Sequence, residues 1–135
     1  MLWLQKDAPQ LVRDRLRKAL PGHGDMIAAE LPDGWNRRKT PIVVVAPDGP
    51  QRSVPGNDTE LVRVTARAPD LPRARRMMTH IDGYLTTPGQ GFLGFSISPA
   101  TRLTAGPDSL VGGSFASCVY RVATHRKVKS HGTEA

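Results

Sequence analysis

Three short patterns in this chain have residue types and spacings that bear on chemistry. Gly89-Gln90-Gly91-Phe92-Leu93-Gly94 matches G-x-G-x-x-G, which cradles a pyrophosphate when it joins a strand to the N-terminus of a helix. Here the context is reversed, because the segment follows a helical pattern and precedes an alternating one. Gly112-Gly113-Ser114-Phe115-Ala116 approaches a nucleophile elbow, whose serine needs an acid and then a histidine downstream. His125 and His131 follow Ser114, but the only later acid is Glu134, so the order fails. The four histidines, at 23, 80, 125 and 131, share no helical or hairpin ligand spacing. Cys118 is alone, which excludes an intrachain disulfide or a thiolate cage, and its apolar alternation makes it a small core residue. Asn57-Asp58-Thr59 fits a glycosylation acceptor, without a secretory route to use it. No catalytic, cofactor or metal constellation is expected, and the chain is not read as an enzyme.

Positive charge is the other chemical feature. The 135 residues include 19 Lys and Arg against 12 Asp and Glu, a net charge of +7, with a pI near 10.3. Such a balance favours nucleic acid, an acidic protein face or an anionic surface as neighbour, and says nothing about fold. Fourteen of the cations are arginine, which with abundant Ala, Gly and Pro also fits a GC-rich genome. Arg73, Arg75 and Arg76, with Arg63 and Arg67, are candidates for a phosphate-contacting face. The competing reading is a solvated helix surface beside an exposed strand side. No aromatic residue sits among these cations, which argues against a platform for stacking single-stranded bases.

The elements that must position these residues are organised around Glu60 to Leu85. Val62, Val64, Ala66 and Ala68 alternate with Arg63, Thr65 and Arg67, the period of a strand with one buried side. From Arg73 to Leu85, Ala74, Met77, Met78, Ile81, Tyr84 and Leu85 recur at helical spacing. Asp70 is placed to cap that helix, with Pro72 in its first turn. Strand and helix together predict a helix folded back over a sheet.

Upstream, Asp7-Ala8-Pro9 opens a first amphipathic helix, with Leu11, Val12, Leu16, Ala19 and Leu20 inward and Arg13, Asp14, Arg17 and Lys18 toward solvent. Pro21-Gly22 ends it. Met26 to Leu31 is a short strand candidate, and Pro41 to Ala46 a central strand expected to be buried on both faces. Pro47 to Thr59 is expected to be an irregular polar loop, and loops that long are usually functional or disordered. Its Asp48, Arg52, Val54, Asn57 and Asp58, together with Arg63, Arg67, Arg73 and Arg76, are the candidate partner-binding residues. Leu93, Phe95 and Ile97 mark a strand that stops at Pro99 and resumes through Arg102 to Thr104. Ala105 to Ser114 is a second irregular stretch, and Phe115 to Thr124 is the last strand, with Cys118, Tyr120 and Val122 inward. One domain is expected over 1–125, with 126–135 a flexible basic tail. The fold class is α+β: a single domain with a mostly antiparallel β-sheet and two amphipathic helices packed on one face. The first seven residues hold too short an apolar run for a signal peptide, and no run of membrane-spanning length occurs. A soluble protein of a reducing cytoplasm is therefore expected.

This layout resembles the tail terminator, or tail completion, proteins of long-tailed phages. The likeness covers about residues 7 to 126. It rests on the N-terminal helix, the Ile42-Val43-Val44-Val45 strand, the loop with Asp48-Gly49, the strand Leu61-Val62-Arg63-Val64-Thr65-Ala66, the Arg/Ala helix from Pro72 to Leu85, and a closing strand pair. The resemblance implies a virion structural protein without cofactor: a hexameric ring on the head-proximal end of the tail tube. Such a ring stops tube polymerisation, docks the head-tail connector protein and lets DNA pass non-specifically through its lumen. It would act in the host cytoplasm during assembly and reside at the tail-neck junction of the virion, with no membrane partner. The family carries no motif residues to transfer position by position. Neck stopper and adaptor proteins share this size and style, and a small basic nucleic-acid-binding domain is the alternative class.

Overall fold

Each helix starts where an aspartate caps it. Asp7 is extended and its carboxylate accepts from the Gln10 N–H at 3.1 Å, with Pro9 in the first turn, and α1 runs Ala8–Ala19. Asp70 accepts from the Arg73 N–H at 2.9 Å, Pro72 lies in the first turn, and α2 runs Leu71–Thr86. Both caps satisfy amides that a helix start otherwise leaves orphaned. The computed structural model describes residues 2–4, 6–20, 22, 24–35, 41–49, 52–54, 57–87, 95–109, 112–125 and 127–129.

The strands among these residues are β1 (Leu2–Leu4), β2 (Ile27–Ala28), β3 (Ile42–Pro47), β4 (Arg52–Val54), β5 (Asn57–Ala68), β6 (Phe95–Pro99), β7 (Thr104–Pro107), β8 (Ser114–His125) and β9 (Lys127–Lys129). A short 3-10 turn, Gly24–Met26, leads into β2. β5 and β8 form the spine, paired antiparallel from Asn57 against His125 to Ala68 against Ser114. β3 and β4 flank β5, and β6 and β7 flank β8, all antiparallel. β2 extends β3 in parallel, and β1 with β9 forms a separate antiparallel ribbon.

Residues paired across strands share a face. The rows Val45, Val64, Cys118 and Val43, Ala66, Ala116 join Val12 and Leu16 of α1 and Ala74, Met78, Ile81 and Leu85 of α2 in one core cluster. Both helices therefore cover the same sheet face, and the molecule is the expected single α+β domain. Tyr120, fully buried in β8, donates its hydroxyl to Asp82 Oδ1 of α2 at 2.6 Å. Burial and then that bond push its phenol far above the ordinary range.

Several expectations change. Val43 and Val45 are fully buried, but Val44 and Ala46 are only partly covered, since both helices lie over the other face. Pro47 to Thr59 is not one irregular loop. β4 and the first residues of β5 form a hairpin that lengthens the sheet, and Asn57, Asp58 and Thr59 are in register with β8. Ala105 to Pro107 is strand rather than loop. Of the basic tail, Lys127–Lys129 is paired with Leu2–Leu4.

Arg13, expected in solvent, is buried. Its guanidinium donates to the Val45 carbonyl at 2.7 Å and to Gln10 Oε1 at 2.9 Å. One turn on, Arg17 donates to the Ile27 carbonyl at 3.0 Å. β2 pairs with β3 only at Val43 and Val44, and Arg13 takes up the carbonyl one residue beyond. Two arginines four apart thus fasten α1 to the edge of the sheet.

Candidate functional site

The sheet face turned away from the helices brings together three of the candidate side chains, Asp48, Arg63 and Arg67. Alternation along β5 turns Arg63, Thr65 and Arg67 away from the helices, and the register sets them against Val119, Ser117 and Phe115 of β8. Asp48, just past β3, is held by its N–H donating to the Leu61 carbonyl at 2.8 Å. Its carboxylate then receives Arg63 Nε at 3.0 Å. The same guanidinium donates to Ser117 Oγ at 3.1 Å, and Thr65 Oγ1 lies 3.1 Å from that oxygen. Ser117 is almost wholly covered by this arrangement although it faces the open side.

A second ion pair stands four residues along, between Arg67 and Asp108. Asp108 is placed by the turn from β7 to β8, where its N–H donates to the Gly113 carbonyl and the Gly112 N–H donates back to the Asp108 carbonyl, each at 3.0 Å. Gly112 and Gly113 have φ of 79° and 72°, a succession that side chains with a Cβ rarely adopt. This pair is better shielded than the first: the Arg67 and Asp108 side chains are 22% and 16% exposed, against 45% and 34% for Arg63 and Asp48. Beside these clamps, Arg121, Ser96 and Ser98 are exposed on the strands of the open face.

The nine candidate residues do not form one surface. Asp48 meets Arg63, and Arg67 shares their face. Arg73 and Arg76 sit on the outer side of α2, across the helix layer. The side chains of Arg52, Val54 and Asn57 lie outside the described residues. Asp58 is only 1% exposed, so its side chain is turned into the domain. Because β5 begins at Asn57, the alternation Asp58, Glu60, Val62 carries Asp58 to the helix side. No buried side-chain nitrogen or oxygen among the described residues lacks a hydrogen-bond partner. Glu60, near Asp7 and Asp58, has its carboxyl raised, mainly by burial and then by those two charges.

Sequence reasoning missed Ser117 and Asp108. Neither has a local signal, since both reach β5 only through the pairing of distant strands. Ser114 lies at the start of a strand, paired with Ala68, so the tight strand-to-helix turn of a nucleophile elbow is absent there. The Gly89 to Gly94 segment, and His23 and His131, lie outside the described residues. His80 and His125 are exposed on α2 and at the end of β8. Cys118 is buried and its thiol is raised, first by burial, as suits a core residue. Among the described residues, no three His, Cys, Asp or Glu side chains gather as a metal site, and no helix is long and apolar enough to cross a membrane. Compared with known proteins, the chain matches no family model and no curated sequence.

Proposed function

We propose that this chain is a phage tail terminator: a virion structural subunit that closes the tail tube at its head-proximal end as a homo-oligomeric ring, six subunits by the family resemblance. The observation that carries the reading is the construction of the sheet. Two helices cover one face, while on the other Arg63 and Arg67 are held by Asp48, Ser117 and Asp108. Such a subunit offers two unlike surfaces on opposite sides, which is what a ring standing between tube protein and connector requires.

Non-specific contact with passing DNA belongs to the same reading, and the open face has a specific bearing on it. Arg63 and Arg67 are neutralised by Asp48 and Asp108, so the charge left for phosphates there rests on residues such as Arg121. That weighs against a dedicated nucleic-acid reader and leaves a weak, salt-screened attraction. A neck stopper or adaptor is the nearest alternative, since it would use the same two-surfaced subunit.

The test is electron microscopy of particles assembled without this chain, beside native mass spectrometry of the purified protein. A terminator leaves separated heads and tails, or tubes grown past their normal length, and the pure protein forms closed rings. Filled heads that leak DNA above tails of normal length would assign the chain to a stopper. Normal virions would overturn both.

A further inference from the structure

A groove of about 1220 Å³ lies between the end of α1 and the outer side of α2, over the edge formed by β2 and β3. Its floor is core, including Leu16, Val43 and Ile81, and its walls are the partly exposed Leu20, Met26 and Met77. On α2 the rim is Arg76 and His80, one helical turn apart and both exposed. Neither has a hydrogen bond or ion pair among the described residues. By contrast, Arg73 is paired with Asp70 and Arg17 with Asp14. Asp33 stands on the other lip.

We propose that this groove receives an amphipathic helix of a partner protein, apolar along one stripe and acidic along the flank that meets Arg76 and His80. A helical turn about 10 Å wide and 5.4 Å high occupies roughly 420 Å³, so the groove admits on the order of three turns. That is above the range of roughly 300 to 1,000 Å³ usual for small molecules. Met26 and Met77 supply unbranched, polarizable side chains that adapt to an incoming apolar stripe, and a helix laid in a groove between helices is an established recognition mode. Charge selects the partner's flank, because a chain of net charge +7 with two rim donors unpaired among the described residues favours carboxylates. A second copy is the poorer occupant. Both of its helices already spend their apolar stripes on its own sheet, and it carries the same positive charge. The proposal is independent of the ring reading, since it concerns the helix side and not the open sheet face.

A fluorescein-labelled, end-capped 16-residue helical peptide, with Leu at i, i+3, i+4 and i+7 and Glu along one flank, provides the probe. Fluorescence anisotropy should give a Kd on the order of 10 μM. The double variant Arg76→Glu with His80→Glu changes only exposed positions and should melt like the parent. It should bind that peptide at least about tenfold more weakly and prefer the same peptide with Lys in place of Glu. Met77→Glu should lose both peptides. Equal binding of the Glu and Lys peptides by parent and charge-reversed protein would overturn the proposal. So would no binding of either at about 1 mM, the behaviour of a groove closed by the protein's own chain. A self-association that Met77→Glu abolishes, without peptide binding, would assign the groove to a second copy and also overturn it. If Met77→Glu fails to fold, the charge-exchange pair decides alone.

Discussion

β5 supplies two unlike surfaces from alternate residues. On the helix side, Val62, Val64, Ala66 and Ala68 are fully buried and meet apolar neighbours from both helices and from β8. On the open side, Arg63, Thr65 and Arg67 meet Asp48, Ser117 and Asp108 through ion pairs and hydroxyl bonds. Burial of a Val side chain contributes about 1.5–3 kcal/mol, whereas an exposed ion pair contributes about 0–1. The first surface therefore holds the fold. The second sets the position of charges at small energetic expense, which suits a face that is to be met by something else.

The sharpest way to break this contrast is Val64→Asp, which puts an unpaired charge into the core. A loss of about 4 kcal/mol or more is expected, enough to abolish cooperative unfolding in a domain of ordinary stability. Circular dichroism melting checks it, and a parent-like melt would mean the faces are assigned the wrong way round. Next in size is Arg13→Met, which keeps the aliphatic stem and deletes the bond to the Val45 carbonyl. About 1.5–3 kcal/mol should be lost in urea unfolding, as for a bond made by a charged donor.

On the open face the two clamps should differ as their exposure does. Asp108→Asn should cost about 1 kcal/mol and Asp48→Asn about half of that or less, each less at high salt. Double-mutant cycles with Arg67 and Arg63 separate the pair energies from other effects, and equal couplings would erase the distinction. The smallest effect is Glu60→Gln. The folded protein holds the Glu60 proton more tightly than the unfolded chain does. Its contribution is therefore fully present below the unfolded carboxylate value and is lost as pH rises through the raised folded value. The amide variant should match the parent near pH 4 and slightly exceed it at pH 7, as melts across that range will tell.

What was legible in the chain followed from local physics. Asp7 and Asp70 with their prolines marked both helix starts, and the alternation from Val62 to Ala68 marked the buried face. The elements that escaped depend on distant partners. β4 lies among Pro and Gly residues that resemble a loop until Arg52 to Val54 pair with the start of β5. β1 and β9 are three residues each and exist only against one another. Helical periodicity places Arg13 in solvent because it ranks a guanidinium as polar. Periodicity does not register that a sheet edge one residue short leaves a carbonyl to be met. The open-face site was half legible: its arginines came from strand alternation, whereas Ser117 and Asp108 came from register.

The twelve-residue pairing of β5 with β8 also governs how the chain reaches this state in time. Ala68 against Ser114 closes a loop of about 45 residues and Asn57 against His125 one of about 70, a difference in closure entropy of only ~0.4 kcal/mol. Both are long-range contacts of the kind that slow folding to milliseconds or seconds. α2 grows directly from the Ala68 end of β5 and can hold that strand while β8 arrives. Register should therefore be set first at Ala68 and Ser114 and then zip toward Asn57 and His125, so the β4 hairpin is the last part to lock and the first to open.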